Sequence, residues 1–402
     1  MNSSCSQRCQ NILLNINRFF GVSPSGRSGI HRWIHSLWCL FLLSYVWAGS
    51  IWKCVEFNLE MPTIERVLYT MEFPGNMSLI GFLIFHAVVN CSSAQKAELQ
   101  IHRLIRGHDS KAICDMYKKH GQRTLHLMVL ATVFHGVCVL VDIVNHDFMF
   151  WTSWLSNSVF NLPAIMLSLG LLQYALPVHL LRLLLEQMRK CLEELKLRQR
   201  PVLELTKLDA RYESAFAVLV DAGGGSTQLI DEMRSKCNII DMLHKQLISK
   251  FGIFFLLNFV NSLVSVCMEM YLVFSFFENP VWEETTLLIY RFLWLTMHGS
   301  RIWFILSVNE QILEEKCNLC QLLNELEICS SQLQVSINRF LLQLETSLVQ
   351  PLEACGIVTL DTLSLGGFIG VLMAFVIFLI QIGLGNKSLM GVALNRSSWV
   401  FV

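Results

Sequence analysis

The stretch that decides the fold runs from Leu365 to Leu384, LGGFIGVLMAFVIFLIQIGL, a run without a charge in which Gln381 is the only strongly polar side chain. About 20 apolar helical residues cross the hydrocarbon core of a bilayer, so this segment predicts a membrane-spanning helix. An uncharged amide in hydrocarbon is costly unless it meets a partner or water. Gln381 therefore favours a helix interface or a pore lining over a lipid-facing stripe. Gly370, Ala374, Ile377 and Gln381 recur at spacings of four, three and four residues and share one helical face. Such a stripe permits close helix approach, and the residues alone leave open whether it packs inside one subunit or faces elsewhere.

Outward from this segment the whole chain reads the same way. Of its 402 residues 53% are hydrophobic and 15% charged, and mean hydropathy is +0.48, outside what a soluble surface tolerates. Seven apolar segments are long enough to span: Ile34 to Trp52, Met77 to Ser93, Thr124 to Val144, Leu155 to Leu180 with Pro163 and Pro177 inside, Phe251 to Phe277, Thr286 to Val308 and Leu365 to Leu384. The fold class expected is all-α, a polytopic membrane protein with seven transmembrane helices.

Lysine and arginine are distributed very unevenly between the two sets of loops. Twenty-five lie before the first span and in the second-to-third, fourth-to-fifth and sixth-to-seventh connections, whereas the opposite side has Lys53, Arg66, Lys387 and Arg396. The positive-inside rule then places the amino terminus in the cytoplasm and the carboxyl terminus outside. The order that follows is a cytoplasmic segment over 1–33, spans one to four within 34–180 and a cytoplasmic helical connection over 181–250. Spans five and six then occupy 251–308, a cytoplasmic helical anchor region 309–364, the last span 365–384 and an extracellular tail 385–402. Asn386 and Asn395 head glycosylation sequons on that outer tail. The first thirty residues lack the apolar core and cleavage site of a signal peptide.

Several features with chemical overtones read blandly. Cys317 and Cys320 form a single CxxC without a second pair or clustered histidines, so no metal is expected. The cysteines fall mostly in spans and inner segments, which argues against an outer disulfide framework. Gly223-Gly224-Gly225-Ser226-Thr227 lacks the lysine and preceding strand of a phosphate loop and reads as a connector. His126, His135, His179 and His298 are scattered with no nucleophile, base and orienting carboxylate in order, so no enzyme and no cofactor are expected.

Ala374-Phe375, five apolar residues, then Gln381-Ile382 resembles the Thr-Tyr, five apolar, Gln-Phe signature of insect gustatory receptors. Gln381 is retained, and Ala374, Phe375 and Ile382 depart from the usual Thr, Tyr and Phe. Ala354-Cys355-Gly356, leading to Leu360-Asp361 and read here as a short helix, and Asn338-Arg339-Phe340 are similar to the approach to the last span in that family. The resemblance implies a homo- or hetero-tetramer with other gustatory receptors, joined by a cytoplasmic helical bundle, with the last helix lining a central pore. The pore and gate would be carried by Ala374, Ile377, Phe378, Gln381 and Ile382.

The resemblance also implies a small-molecule tastant as ligand, the plasma membrane of gustatory sensory neurons as location, and no nucleic-acid partner. No charged filter is visible, so a poorly selective cation path is expected, with bitter or aversive compounds as the ligand class. Polar and aromatic groups in the outer halves of the spans are pocket candidates: Asp142, Asn157, Asn161, Glu269, Tyr271, Tyr290 and Trp294. Glu269 and Arg291 lie at comparable depth and could pair. Trp151, Trp154 and Trp282 fit an interfacial aromatic belt. A metabotropic seven-helix receptor is an alternative, disfavoured by the inside amino terminus and the absence of an Asp-Arg-Tyr motif after the third span. A pheromone or other contact-chemical receptor subunit is another.

Overall fold

The computed structural model describes residues 12–23, 30–60, 63–89, 100–105, 110–208, 225–278, 285–326 and 331–397. Its long helices are α1 (Ile30–Glu60), α2 (Thr63–Val89), α3 (Ser110–Asn145), α4 (Phe150–Val159), α5 (Asn161–Leu208), α6 (Gly225–Glu278), α7 (Thr285–Asn324), α8 (Ser331–Val349) and α9 (Ser364–Ser397). A two-stranded antiparallel hairpin, β1 (Glu353–Ala354) and β2 (Val358–Thr359), precedes α9. Among the described residues each predicted span lies on one helix except the fourth, which is divided between α4 and α5; the second is described as far as Val89.

Local sequence explains the main departures. The fourth span is broken at Phe160, and Pro163 is the cause: its ring has no N–H to offer the carbonyl of Val159, four residues back, and clashes with it. Pro163 then sits in the first turn of α5, where a missing donor is harmless. α2 begins well before the predicted second span and continues through Pro74. α9 continues past the predicted span to Ser397, so 385–397 are helical where a tail was expected. The side chains of Asn386 and Asn395 lie outside the described residues, as do Gly223 and Gly224 of the proposed connector, whose Gly225, Ser226 and Thr227 instead open α6.

The approach to α9 is a hairpin where a short helix was expected. Cys355 and Gly356 adopt φ of 55° and 70°, the left-handed region that ends a helix and that glycine enters without strain. Val358 and Thr359, both β-branched, then pair with Ala354 and Glu353. The hairpin is pinned by burial, since Ala354 and Leu360 are fully enclosed and Gly252 of α6 faces Cys355 so closely that a Cβ would stand 3.2 Å from its sulfur.

One apolar core runs the length of the bundle. α5 and α6 form its axis, with α7 packed along both, α2 against the C-terminal half of α6 and α8 against its N-terminal half. Tyr174, Phe254, Phe255 and Phe340 are its largest fully enclosed side chains. By length and composition α1, α3, α5, α6 and α9 suffice to cross a membrane, and Pro74–Val88 of α2 is a shorter apolar segment. α7 is more polar along its predicted span, carrying Tyr290, Arg291, His298 and Arg301, and it packs among α3, α5 and α6, where such groups find partners. α9 stands apart: 11% of its apolar window is buried, against 72% for α5 and 67% for α6.

Candidate functional site

Five of the seven pocket candidates form one continuous line. Asp142 of α3 is buried, and its two carboxylate oxygens accept the Ser156 hydroxyl and the Asn157 amide, each at 2.8 Å. Asn157 accepts from the Asn161 amide at 2.8 Å, which also points at the Tyr290 hydroxyl at 3.5 Å. The Tyr290 ring stands edge-on to Trp294 at 5.9 Å, and Trp294 stacks on His298 at 5.6 Å. The line joins α3, α4, α5 and α7 across the break at Phe160. Without that break a continuous helix would carry α4 in a different direction from the one that brings Ser156 and Asn157 to Asp142.

The other two candidates lie apart. Glu269 of α6 stands 3.9 Å from Arg291 of α7, an ion pair too long for a hydrogen bond. Tyr271 packs against the small cluster between the C-terminal part of α6 and α9. Trp151 and Trp154 are largely exposed, as an aromatic belt requires.

Sequence reasoning missed a second set of groups deeper in the bundle. Arg301 is buried and donates to the Ala164 carbonyl at 3.1 Å, next to Ser168, whose hydroxyl lies 2.9 Å from His135. An arginine inside a predicted span is itself a functional signal, and this one was available in the sequence.

Where α7 leaves its predicted span, about two turns, from Asn309 to Lys316, carry partnered polar groups. Asn309 accepts the Tyr174 hydroxyl at 2.5 Å and the His244 ring N–H at 2.9 Å. Glu310 accepts the Thr362 backbone N–H at 3.4 Å and its hydroxyl at 3.3 Å. Gln311 accepts from Arg182 at 3.1 Å, Glu315 from Arg189 at 3.1 Å, and Lys316 meets Asp241 at 2.6 Å and the Ser347 hydroxyl at 2.7 Å. Burial, reinforced by the Lys316 charge, holds the His244 pKa down to about 4, so its imidazole is neutral.

α9 is attached to the rest of the chain by one stripe. Leu372, Val376 and Leu379 are buried against Val266, Cys267, Met268 and Leu272 of α6. Among the described residues the opposite face is uncovered: Gly370, Ala374, Ile377, Phe378, Gln381 and Ile382 are exposed, and none of the described residues lies within 4 Å of a Cβ built on Gly366, Gly367 or Gly370. The small-residue stripe therefore does not pack α9 inside this chain. At its amino-terminal end the helix is capped by Asp361, whose Oδ1 accepts the Ser364 N–H at 2.8 Å and its hydroxyl at 2.5 Å.

Residues 10–386 match the 7tm chemosensory receptor family. The Drosophila melanogaster chain that bears the name gustatory receptor 59e is 69% identical over 393 residues, covering 98% of each chain. This chain belongs to the insect gustatory receptor family. Gustatory receptor 59f of the same species is 25% identical over 362 residues, 90% of this receptor and 82% of that one. The fold of the receptor is that of the insect olfactory receptor OR5 from Machilis hrabei. Its structure in complex with eugenol superposes with a TM-score of 0.69 at 11% identity, covering 94% of this receptor and 97% of that chain. A second OR5 structure gives 0.65 at 13% identity over the same shares. Among the described residues of the receptor no three of His, Cys, Asp and Glu gather as metal ligands would.

Proposed function

We propose that this receptor is a ligand-gated, poorly selective cation channel of contact chemoreception, answering bitter or otherwise aversive tastants. It acts as a homo- or hetero-tetramer with other gustatory receptors in the plasma membrane of gustatory sensory neurons, with its amino terminus in the cytoplasm. The observation that carries the reading is the uncovered face of α9. A membrane helix with Gln381 in its span and Ala374 and Ile377 on the same face needs a partner or water there, and none of the described residues covers that face.

Four copies of that face around an axis would build an apolar constriction with one ring of amides. Such a ring stays dry and closed until the helices part. The tastant enters among α3, α4, α5 and α7, where Asp142, Asn157, Asn161, Tyr290 and Trp294 already satisfy one another, and a polar ligand would compete for those bonds. Displacing them shifts α7, and Glu310 passes the shift to the base of α9 through Thr362. The OR5 complex, in which a related fold holds eugenol, supports a small aromatic or polar organic ligand class here.

The test is whole-cell current in cells expressing the receptor, alone and with candidate partner receptors, under plant-derived tastants with G-protein signalling blocked. A fast cation current that survives the block is expected. A response abolished by the block would establish the metabotropic alternative, and a current that requires a second receptor would make the assembly an obligate heteromer.

A further inference from the structure

Beyond the tastant line and the pore face, one small cavity with an apolar lining and a few charged or polar groups at its edge has no role in the function proposed above. It lies between α3, α5 and α7, at the level where three predicted spans end together: Arg123 precedes the third, His179 closes the fourth, and the sixth stops at Val308. About 10 Å³ of it can take the centre of a water-sized group, room for one oxygen-sized atom. Leu127 and Phe304 form apolar walls, and Arg123, His179, Arg182 and Gln311 supply the polar ones.

The polar groups there are only partly satisfied. His179 is 8% exposed, its ring stacks on His120 at 5.8 Å, and neither ring nitrogen has a hydrogen-bond partner. Arg182 donates one N–H to Gln311 and faces Glu315 at 3.7 Å, yet its buried Nε is unpartnered. Arg123 is half-buried, its charge is opposed by that of Arg182, and among the described residues no carboxylate stands at ion-pair distance from it. The nearby acids are engaged: Glu186 by Lys119 at 2.6 Å and Lys190 at 3.2 Å, and Glu315 by Arg189 at 3.1 Å. Buried donors without acceptors and two guanidiniums without a shared anion are both unfavourable, and one anionic oxygen placed among them relieves both.

We infer that this cavity is a binding site for the phosphate of an anionic phospholipid, with one phosphoryl oxygen between His179 and Arg182 and the rest of the headgroup at the mouth beside Arg123. The planar guanidinium fork suits phosphate geometry. Basic pockets between membrane helices at the cytoplasmic boundary take phosphorylated headgroups, and the apolar walls at Leu127 and Phe304 lie on the side from which acyl chains would approach. The inner-leaflet assignment rests on the orientation proposed above, whereas binding itself requires no channel activity.

The experiment uses purified full-length receptor in detergent. Dioctanoyl phosphatidylinositol 4-phosphate, dioctanoyl phosphatidylcholine and inorganic phosphate are compared by thermal unfolding and native mass spectrometry. Saturable binding of the phosphoinositide with none of the phosphatidylcholine is expected. Arg123→Gln, which breaks no observed bond, should weaken it about ten-fold, the weight of one charge-assisted hydrogen bond, and Arg123→Lys should retain most of it. Equal retention of both lipids, or Arg123→Gln binding like the parent, would overturn the site and leave a water-filled cavity. Inorganic phosphate producing the whole shift would overturn the lipid as its source. A receptor silent in current recordings that still binds the phosphoinositide would leave the site standing and count against the channel reading alone.

Discussion

Glu310 of α7 holds Thr362 at the foot of the last helix, accepting both its backbone N–H and its hydroxyl through one carboxylate oxygen. Asn309, the neighbouring residue, faces the other way into the core and joins Tyr174 of α5 to His244 of α6. One turn of α7 thus connects the bundle axis with the segment that caps α9. Any rotation of α7 must pull on the base of the last helix or break these bonds.

Removing that link tests whether it couples. Glu310→Ala should lower the maximal tastant response or raise the half-effective concentration several-fold with surface expression near normal, since a single partly exposed hydrogen-bonded contact is worth about 1 kcal/mol of stability. An unchanged dose-response curve would remove the link from gating.

Gln381→Ala takes the one amide from an exposed, otherwise apolar face. Conductance or basal opening should change while surface expression stays nearly intact, because the side chain is exposed among the described residues. Single-channel recording decides the point, and identical unitary currents would move Gln381 out of the pore.

Glu269→Gln leaves Arg291 inside the bundle without this counter-charge, at a cost on the order of 3 kcal/mol for a buried pair. Expression or ligand sensitivity should fall. Asp142→Asn makes a separate disturbance, because Asp142 accepts two donors and an amide can accept only one of them without turning its own N–H groups on the other. A normal dose response in both variants would mean that neither group serves ligand recognition.

The neutral His244 makes the inner bundle acid-sensitive. Its folded pKa, about 4, lies below the unfolded value near 6.5, so the unfolded chain binds the extra proton first and stability falls as pH drops from about 6.5 toward 4, levelling off below. The span of that fall is roughly 3 kcal/mol. Thermal unfolding of purified receptor between pH 7 and pH 4 should show it, and His244→Gln should flatten the profile.

The spans were legible because hydropathy and helical period are properties of contiguous residues. The pairing of Glu269 with Arg291 was legible for a related reason, since rise per residue places two side chains at the same depth when both helix ends are known. The hairpin before α9 was not: Ala354 to Asp361 has no local pattern that outweighs a helix until Cys355 and Gly356 are seen in the left-handed region and Ala354 and Leu360 are seen buried against α6. The hub at Asn309 was invisible because its partners lie 135 and 65 residues away in the chain.

The sequence by itself determined that this chain is an all-helical membrane protein, where its seven apolar segments lie, and which residues carry the family signature. Hydrophobic length and side-chain period specify these without reference to the rest of the chain. Only the tertiary structure decided that Asp142, Asn157, Asn161, Tyr290 and Trp294 form one line while Tyr271 stands apart, that α7 ties the base of α9 to the core, and that the Gln381 face is left uncovered. Those outcomes depend on how each helix is rotated about its axis and how far it slides past its neighbours, and the packed core of α5, α6 and α7 sets both together.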